Sequence, residues 1–292
     1  MEFLVRATLR ETLEVLAERP GARPICGGTD VMVAVNHDRD RPSALLDLSH
    51  LSELATVDVA GDIVRLGAAV PYARVIGELA GALPGLAMAS RTVGSPLIRS
   101  RGTVGGNLGA ASPAGDSHPP LLVRDATVIA ASSERGERRI PADAFYVGVK
   151  RNALEPDELI VAIEVPRADG PEQFAKVGPR NAMTIAVCSL AVALSAVRGT
   201  VRAAIGSAAP TPRRAVDAEA YLEDELVGRW DREGPLGDGV TARFGELVAA
   251  SASAIDDVRG TAAYRRHALA VLAARTLGWA WDDHLASLRR AA

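Results

Sequence analysis

TVGGN at residues 103–107 and SPAGD at residues 112–116 place a paired glycine, an amide and a carboxylate within one short segment. A paired glycine lets the main chain approach a ligand closely and turns successive N–H groups into one concavity, which suits a phosphate. We therefore predict that these two turns form a phosphate-binding segment, with Asp116 as its fixed carboxylate.

A second glycine pair lies in ICGGTDV at residues 25–31, after a short apolar stretch. On its own this pair is a weak signal, because adjacent glycines before a helix or strand more often form a tight turn. Together with the segment at 103–116, it predicts that two loops hold one pyrophosphate from both sides.

Other interpretations of these motifs differ in their support. Neither segment has the GxGxxG or the Gly-Lys-Ser/Thr spacing of the common nucleotide-binding loops, so a Rossmann NAD site and phosphoryl transfer are disfavoured. Asp116 also suits the N-cap of a helix beginning near Ser117, a role compatible with ligand contact. His118 has no second histidine or acid at metal-ligand spacing, and we interpret it as a loop histidine without a metal role.

The composition is that of an ordinary soluble globular protein, with 292 residues, 48% hydrophobic and 24% charged residues and a net charge of -3. This charge gives no reason to expect nucleic acid as a partner. We find neither a signal peptide nor a run approaching the roughly 18 apolar residues of a membrane span, and expect a cytoplasmic protein without a transmembrane segment. Cys26 and Cys188 lack neighbouring ligands, which excludes an iron–sulfur cluster or a cysteine-based zinc site on this chain.

Periodicity predicts an α+β protein. Residues 31–35 fit a helix turn or a strand, and the apolar run within 186–197 fits either a strand or a helix. We expect a mixed sheet in the middle region, an antiparallel sheet plus a helical cluster in the tail, a surface loop at 229–239, and domains at 1–55, 56–170 and 171–292. Helices are predicted at 8–19, 72–80, 216–226, 244–252 and 261–288, and strands at 44–48, 63–68, 126–130, 137–141, 159–166 and 201–206.

Five motifs, spread in order over essentially the whole chain, carry a family resemblance. They are CGGTD (26–30), TVGSPLIRSRGTVGGNLGAASPAGD (92–116), ELIVAIEVP (158–166), FAKVGPR (174–180) and DDVRGTAAYRR (256–266). Together they closely resemble the FAD-binding medium subunit of molybdenum hydroxylases, the carbon monoxide dehydrogenase and xanthine dehydrogenase family. The resemblance implies a two-subdomain FAD-binding fold of the vanillyl-alcohol-oxidase/PCMH type, followed by a C-terminal domain of the CO dehydrogenase flavoprotein type.

In that family FAD lies between the first two subdomains, with its pyrophosphate on the two glycine loops. Ile160 would line the ring pocket and Lys176 would lie near the flavin, where a cation stabilises an anionic reduced ring; the alternative is that Lys176 is a solvated strand lysine. Val93 stands where eukaryotic relatives carry an aromatic residue over the ring, so we do not expect stacking there. The cofactor-binding residues implied by the resemblance are Ile25, Cys26, Gly27, Gly28, Thr29, Asp30, Val31, Val93, Thr103, Val104, Gly105, Gly106, Asn107, Asp116, Ile160 and Lys176.

The resemblance also implies a division of labour among subunits. Family members pass electrons from a large molybdopterin subunit, through two [2Fe–2S] clusters on a small subunit, to FAD on the medium subunit, and then to NAD+, a quinone or another acceptor. This chain would then be an oxidoreductase subunit in a dimer of heterotrimers, with no acid–base catalytic residue and no metal site of its own. The substrate and the acceptor are determined outside this sequence.

Two alternatives belong to other classes. A self-sufficient FAD-dependent oxidase or reductase of the same fold is disfavoured, because the chain has no histidine for covalent flavin attachment near 26–30 and no large substrate domain. An assembly scaffold without flavin is disfavoured by the intact glycine loops and Asp116. The branch that reduces 4-hydroxybenzoyl-CoA is also disfavoured, because its cysteine-bearing insertion has no counterpart here.

Overall fold

The chain begins with a small parallel sheet. The structure, a computed structural model, describes residues 1–232 and 234–291. Helix α1 has a capping box at Thr8, whose side chain accepts a hydrogen bond from Glu11 N, and this confirms the helix predicted at 8–19. The strand order is β1-β3-β2. The elements are β1 (Glu2–Val5), α1 (Leu9–Glu18), β2 (Arg23–Ile25), α2 (Val31–Asn36) and β3 (Ala44–Asp47), followed by a 3-10 helix (Ser52–Ala55).

A five-stranded sheet follows, in the order β4-β5-β10-β6-β7. Its strands are β4 (Val57–Ala60), β5 (Ile63–Gly67), β6 (Thr127–Ser132), β7 (Gly136–Pro141) and β10 (Leu159–Pro166). All four neighbouring pairs are antiparallel, so the predicted mixed sheet is wrong. For β4–β5 and β6–β7 the reason is local, since both are hairpins with Gly61 and Gly136 at positive φ, and a short turn returns the chain antiparallel. Strand β10 pairs between the two hairpins, antiparallel to both of its neighbours.

Short helices fill the connection between β5 and β6. They are α3 (Tyr72–Glu78), α4 (Pro84–Thr92), α5 (Pro96–Arg101), α6 (Val104–Ala110) and α7 (His118–Val123). A further short helix and a two-stranded ribbon precede β10, namely α8 (Ala142–Phe145), β8 (Tyr146–Gly148) and β9 (Arg151–Asn152). The sequence predicted α3 but none of the turns of helix between 84 and 110, which are short and separated by glycine and proline.

The last part of the chain is a four-stranded antiparallel sheet with helices, as predicted. Its elements are β11 (Glu172–Val177), β12 (Cys188–Ser195), β13 (Thr200–Gly206), β14 (Arg213–Arg214), α9 (Val216–Leu226), α10 (Asp238–Ala250) and α11 (Ala262–Ala291). Helix α10 begins at Asp238, six residues earlier than predicted and inside the segment expected to be a loop. The predicted division into domains at 55 and 170 stays a prediction.

Strand β12 explains why periodicity could not classify its sequence. All eight of its residues are buried. Leu190 and Val192 face the core under α9–α11, whereas Ala191 and Ala193 belong to the core of the middle region. A strand covered on both faces has no polar face, so hydrophobicity does not alternate along it.

The C-terminal sheet therefore lies between two helical layers. Helices α9, α10 and α11 cover one face, and helices α4 and α7 from the middle region cover the other. These observations confirm the predicted α+β class. Within residues 1–232 and 234–291, no helix combines the length and the apolar character needed to cross a membrane.

Candidate functional site

A cavity of about 1010 Å³ lies where the first two sheets meet the C-terminal region. Its walls come from the loop after β2, helices α5 and α6, the segment 112–116 and strand β10. On the C-terminal side they come from residues 207–210 and from residues between 253 and 259. The volume reaches the upper limit of about 300–1,000 Å³ that is usual for drug-sized ligands, so the cavity has room for a large cofactor.

In this cavity the glycine loop after β2 contacts residues 101–102, which directly precede TVGGN. A β-carbon built on Gly27 would lie 1.8 Å from the carbonyl oxygen of Arg101, and one built on Gly102 would lie 3.2 Å from Thr29 Oγ1. Gly28 has a φ of +72°, which side-chain-bearing residues rarely adopt. The loop after β2 thus needs glycine at 27 for close approach and at 28 for its backbone conformation.

TVGGN is the beginning of helix α6 rather than the predicted turn. Thr103 is its N-cap, and the Thr103 Oγ1 atom accepts a hydrogen bond from Gly106 N at 2.9 Å. A β-carbon on Gly105 would lie 2.5 Å from the carbonyl oxygen of Ala68, so this helix can approach the end of β5 only with glycine there. The signal for a helix was Thr103 itself, a favoured N-cap residue, which the glycine pair obscured.

Thirteen of the sixteen residues predicted to bind the cofactor line the cavity. Ile25 lies in β2 behind the glycine loop, and Val104 is fully buried in the core beneath α6. Lys176 reaches the floor of the cavity from β11 through Asp116. The fold therefore brings the two motifs and their flanking residues together, and the role of each residue toward a ligand stays a prediction.

Asp116 is buried on the cavity floor and forms an ion pair with Lys176. The Asp116 Oδ2 atom lies 2.6 Å from Lys176 Nζ and accepts a hydrogen bond from Thr92 Oγ1 at 3.1 Å. Burial raises the pKa of the Asp116 carboxyl above its usual value, and the Lys176 charge offsets part of this rise. The second carboxylate oxygen, Oδ1, is buried without a hydrogen-bond partner.

The ammonium group of Lys176 is fully occupied by protein acceptors. It donates to Asp116 and also to the carbonyl oxygens of Thr92 at 3.0 Å and Thr184 at 3.1 Å. Its side chain is only 9% exposed. The alternative that Lys176 is a solvated strand lysine is therefore wrong.

The alternative that Asp116 caps a helix is also wrong. Helix α7 starts at His118 with Ser117 in the N-cap position, and no side chain caps it. The Asp116 carboxylate instead receives its hydrogen bonds from Lys176 and Thr92. Its position is thus determined by the C-terminal sheet and by the end of α4.

His118 differs from its prediction as a loop histidine, because it is fully buried at the first turn of α7. Its Nδ1 atom lies 2.8 Å from the Tyr146 hydroxyl. Burial lowers the pKa of His118 to about 4, so the ring is neutral at physiological pH. The burial of this histidine and its pairing with Tyr146 follow from the tertiary fold, and the sequence around His118 carries no signal for them.

Two further buried polar atoms near His118 and Gly115 have no hydrogen-bond partner. They are Asn107 Oδ1 and His118 Nε2. A β-carbon on Gly115 would lie 2.2 Å from His118 Nε2 and 2.7 Å from Asn107 Oδ1, so both atoms flank the Gly115 backbone. Buried polar atoms are nearly always satisfied in proteins, and such a group beside a cavity is typical of a ligand site.

Apolar side chains complete the walls. Ile160 is 7% exposed beside an irregularity in β10, and Val93 ends helix α4 with its carbonyl oxygen accepting from Arg99 Nη1 at 3.0 Å. Among the described lining residues Tyr72 is the one aromatic side chain, and its hydroxyl lies 3.0 Å from Ser117 Oγ in the buried floor. Val93 and Ile160 thus give this part of the cavity an apolar wall.

Comparison with known proteins adds independent information. Residues 1–168 match the family described as the FAD binding domain in molybdopterin dehydrogenase, and residues 173–280 match the CO dehydrogenase flavoprotein C-terminal domain. The putative xanthine dehydrogenase FAD-binding subunit of Escherichia coli (strain K12) is 33% identical over 229 residues, which is 75% of this chain and 77% of that protein. The nicotine 6-hydroxylase medium subunit of Paenarthrobacter nicotinovorans is 29% identical over 276 residues, 93% and 94% of the two chains.

A solved structure is similar over nearly the full length. It is the carbon monoxide dehydrogenase from Hydrogenophaga pseudoflava, in a form lacking the Mo-pyranopterin moiety of its molybdenum cofactor. The matching chain has a TM-score of 0.88 and 25% identity, with 97% of this chain and 98% of that chain covered.

Proposed function

The chain belongs to the family of FAD-binding subunits of molybdopterin dehydrogenases, the carbon monoxide and xanthine dehydrogenase type, and we propose that it is the electron-transferring medium subunit of such an enzyme. The similarities confirm the family, the oxidoreductase class and the two-part FAD-binding fold followed by a flavoprotein C-terminal domain. In the proposed role, electrons arrive from a small [2Fe–2S] subunit beside a large molybdopterin subunit and leave to NAD+, a quinone or another acceptor. We further propose a cytoplasmic dimer of heterotrimers.

The single observation that carries this proposal is the chemistry of the cavity floor. Asp116 Oδ1 and Asn107 Oδ1 are buried acceptors without donors, and a polyhydroxylated chain such as the ribityl group supplies hydroxyl donors for both. Within the described part of the chain, the N–H groups of Gly28 and Thr29 donate to no protein acceptor, so they suit a phosphate. Val93 and Ile160 offer apolar contact to a ring. The donor set therefore fits FAD.

Each part of the chain then has a distinct task. The glycine loops would hold the pyrophosphate, Asn107 and Asp116 would orient the hydroxylated chain, and Lys176 would keep Asp116 charged and in place. FAD itself, when bound, supplies the chemistry that accepts electrons singly and releases them in pairs. No residue of this chain has to move a proton in the proposed role.

Titration of the purified chain with FAD tests the proposal. We expect stoichiometric uptake of flavin that is released on denaturation. Asp116→Ala should weaken FAD binding by about 10- to 100-fold, because hydrogen bonds to a charged group contribute about 1.5–3 kcal/mol. The double variant Asp116→Ala/Lys176→Met removes the buried charge left behind, so it should regain stability without regaining FAD affinity. Equal loss of stability and affinity in both variants would contradict a ligand role for Asp116.

Isolation of the tagged chain from its own host tests the assembly. We expect a large molybdopterin protein and a small iron–sulfur protein to co-purify, with flavin and cluster absorbance and a native mass of a dimer of heterotrimers. A lone yellow protein that oxidises a small molecule by itself would instead show a self-sufficient flavin enzyme. A chain that takes up no FAD would show a scaffold.

A further inference from the structure

Strand β11 carries two charged side chains with buried ends on one face. Glu172 and Lys176 are four residues apart, so both point to the same side of the strand, with Phe174 between them. Glu172 is 3% exposed and the Lys176 side chain 9%. Phe174 belongs to the same core as Leu86 and Ala89 of α4, which identifies α4 as the helix that this face covers.

The two charges bond opposite ends of α4. The Glu172 Oε2 atom accepts a hydrogen bond from Gly85 N, in the first turn, at 2.8 Å. The Lys176 Nζ atom donates to the carbonyl oxygen of Thr92, the last residue, at 3.0 Å. Each side chain satisfies a backbone group that the helix leaves free, and the Lys176 cation also complements the negative C-terminal end of the helix dipole.

The spacings along the two elements are comparable. Gly85 and Thr92 are seven steps apart along the helix, about 10.5 Å at 1.5 Å per step, before the reach of the side chains is added. Four steps along a strand span about 13 Å at 3.2–3.4 Å per step. Sliding the strand by two residues would move both charges by about 7 Å and lose both bonds. Glu172 and Lys176 together therefore select one register of α4 on β11.

The Glu172 end is built for this contact. A β-carbon on Gly85 would lie 2.9 Å from Glu172 Oε2, so glycine at 85 gives the carboxylate access to the helix backbone. Arg124 Nε lies 3.3 Å from Glu172 Oε1 on the other side, and the Arg124 side chain is only 6% exposed. Arg124 also donates to the carbonyl oxygen of Pro166 and to Asp169, both just before β11.

The Lys176 end belongs to the candidate site. The same ammonium group bonds Asp116 at 2.6 Å, and Thr92 contributes its hydroxyl to that carboxylate. Val93, which follows Thr92, lines the cavity, whereas Glu172 does not. A change in the register of α4 would thus displace Asp116, Lys176 and Val93 together.

We propose that Glu172 is a positioning residue for the flavin site, acting through α4 from the helix end opposite the cavity. The proposal rests on the proposed FAD-binding function. It assigns to strand β11 a part in shaping the site, whose glycine segments and Asp116 all lie within residues 1–168. Glu172 touches neither the cavity nor any group in it, and acts only through the register of α4.

Glu172→Ala tests the proposal, with Glu219→Ala as its matched control. Glu219 is also 3% exposed, accepts from a backbone N–H (Ala203) and pairs with an arginine (Arg214), but these partners lie in β13 and β14 rather than in α4. We expect Glu172→Ala to weaken FAD binding by about 3- to 30-fold, the range known for side chains that act on a site through intervening structure. Glu172→Gln, which keeps an acceptor for Gly85, should restore most of the affinity. Glu219→Ala should lower stability while leaving FAD affinity unchanged.

Hydrogen exchange on the FAD-free chain separates this inference from the proposed function. Glu172→Ala should speed exchange of the amides at 92–94 relative to those of β12, and Glu219→Ala should not. Unchanged exchange at 92–94 would overturn the inference even if the chain binds FAD. If the wild-type chain takes up no FAD, the proposed function fails while this exchange comparison still decides the role of Glu172. If Glu172→Ala does not fold, Gly85→Ala, which crowds the carboxylate from the other side, serves in its place.

Discussion

Two buried carboxylates in this molecule have opposite surroundings. Glu219, in the C-terminal core, accepts from Ala203 N and from the Arg214 guanidinium, and both of its oxygens are paired. Asp116, beside the cavity, uses Oδ2 twice and leaves Oδ1 without a donor. Both are less than 9% exposed. At similar burial, one carboxylate thus has both oxygens hydrogen-bonded, whereas the other has an oxygen that can still accept a hydrogen bond.

The same contrast holds for the regions around them. The buried side-chain atoms without partners, among described residues, lie at or near the interface between the C-terminal sheet and the middle region: Asn107 Oδ1, Asp116 Oδ1, His118 Nε2, Glu172 Oε1 and Arg265 Nε. In the helical core behind that sheet, Thr276, Trp281 and His284 all have hydrogen-bond partners. The unpaired oxygens of Asn107 and Asp116 therefore belong to residues that line the cavity, whereas these three side chains of the helical core are paired.

The largest effect on FAD affinity is expected where Gly27 packs against the Arg101 carbonyl oxygen, just before TVGGN. Gly27→Ala would place a β-carbon 1.8 Å from the Arg101 carbonyl oxygen, and a backbone atom cannot rotate away. The segments must separate, at a cost of about 1–3 kcal/mol, and we expect FAD affinity to fall by about 100-fold. Equilibrium titration with FAD measures this change.

Gly77→Ala is the control for that variant. Gly77 lies in α3, and no atom lies within 4 Å of the position that a β-carbon would occupy there. It should bind FAD normally and gain up to about 1 kcal/mol of stability, because alanine is the better helix former. Normal FAD binding by Gly27→Ala would mean that the contact between the two segments does not shape the site.

Much of the fold could be predicted from local patterns. Helix α1 has the Thr8 cap and the apolar spacing that the sequence showed, and α9 spans the predicted residues 216–226. Strand β12 could not be classified because both of its faces are buried, and α6 was missed because its glycines outweighed its Thr103 cap. A local sequence pattern shows the periodicity of a single helix or strand. It cannot classify a strand such as β12, because a second packed layer buries the face that would otherwise be polar.

The candidate site divides in the same way. Both glycine segments and Asp116 were predicted from residue types that favour phosphate and hydroxyl ligands, and they line one cavity. The bond from Gly85 to Glu172 joins residues 87 positions apart, and nothing in either local sequence indicates it. The burial of His118, which keeps its ring neutral, and its contact with Tyr146 likewise come from the tertiary fold. These features arise from packing between elements.

A smaller effect on stability is expected from pH, and it has opposite signs for the two buried groups Glu172 and His118. Burial raises the pKa of Glu172 from 4.5 to about 7, despite Arg124 and with Asp169 adding to the rise. Because the pKa of Glu172 is higher in the folded chain than in the unfolded chain, its stabilising contribution is complete below pH 4.5 and is lost as the pH rises to 7. Burial lowers the pKa of His118 from 6.5 to about 4, so its contribution is complete above pH 6.5 and is lost as the pH falls to 4.

Glu172→Gln isolates the first of these two contributions. Its side chain stays neutral, so relative to wild type the variant should gain about 1–3 kcal/mol of unfolding free energy between pH 4.5 and pH 8. Denaturant unfolding of both chains at the two pH values measures this gain. A constant difference between the two chains across that range would show that Glu172 is ionised throughout.

The smallest effect is expected from Tyr146→Phe, which removes the hydroxyl that contacts His118. The Tyr146 hydroxyl lies 2.8 Å from His118 Nδ1, and the tautomer of neutral His118 decides which of the two donates; the other ring nitrogen, Nε2, flanks Gly115 with Asn107 Oδ1. The variant should lose about 1 kcal/mol of stability, the usual contribution of one hydrogen bond. FAD affinity should fall by only about two- to threefold, because the histidine is freed to change tautomer while the acceptors of Asn107 and Asp116 stay in place. Unfolding and FAD titration of the same preparation measure both changes. A loss of affinity as large as that of Gly27→Ala would place the histidine proton among the groups that hold the ligand, and the cavity floor would then depend on its hydrogen-bond network more than on its glycine contacts.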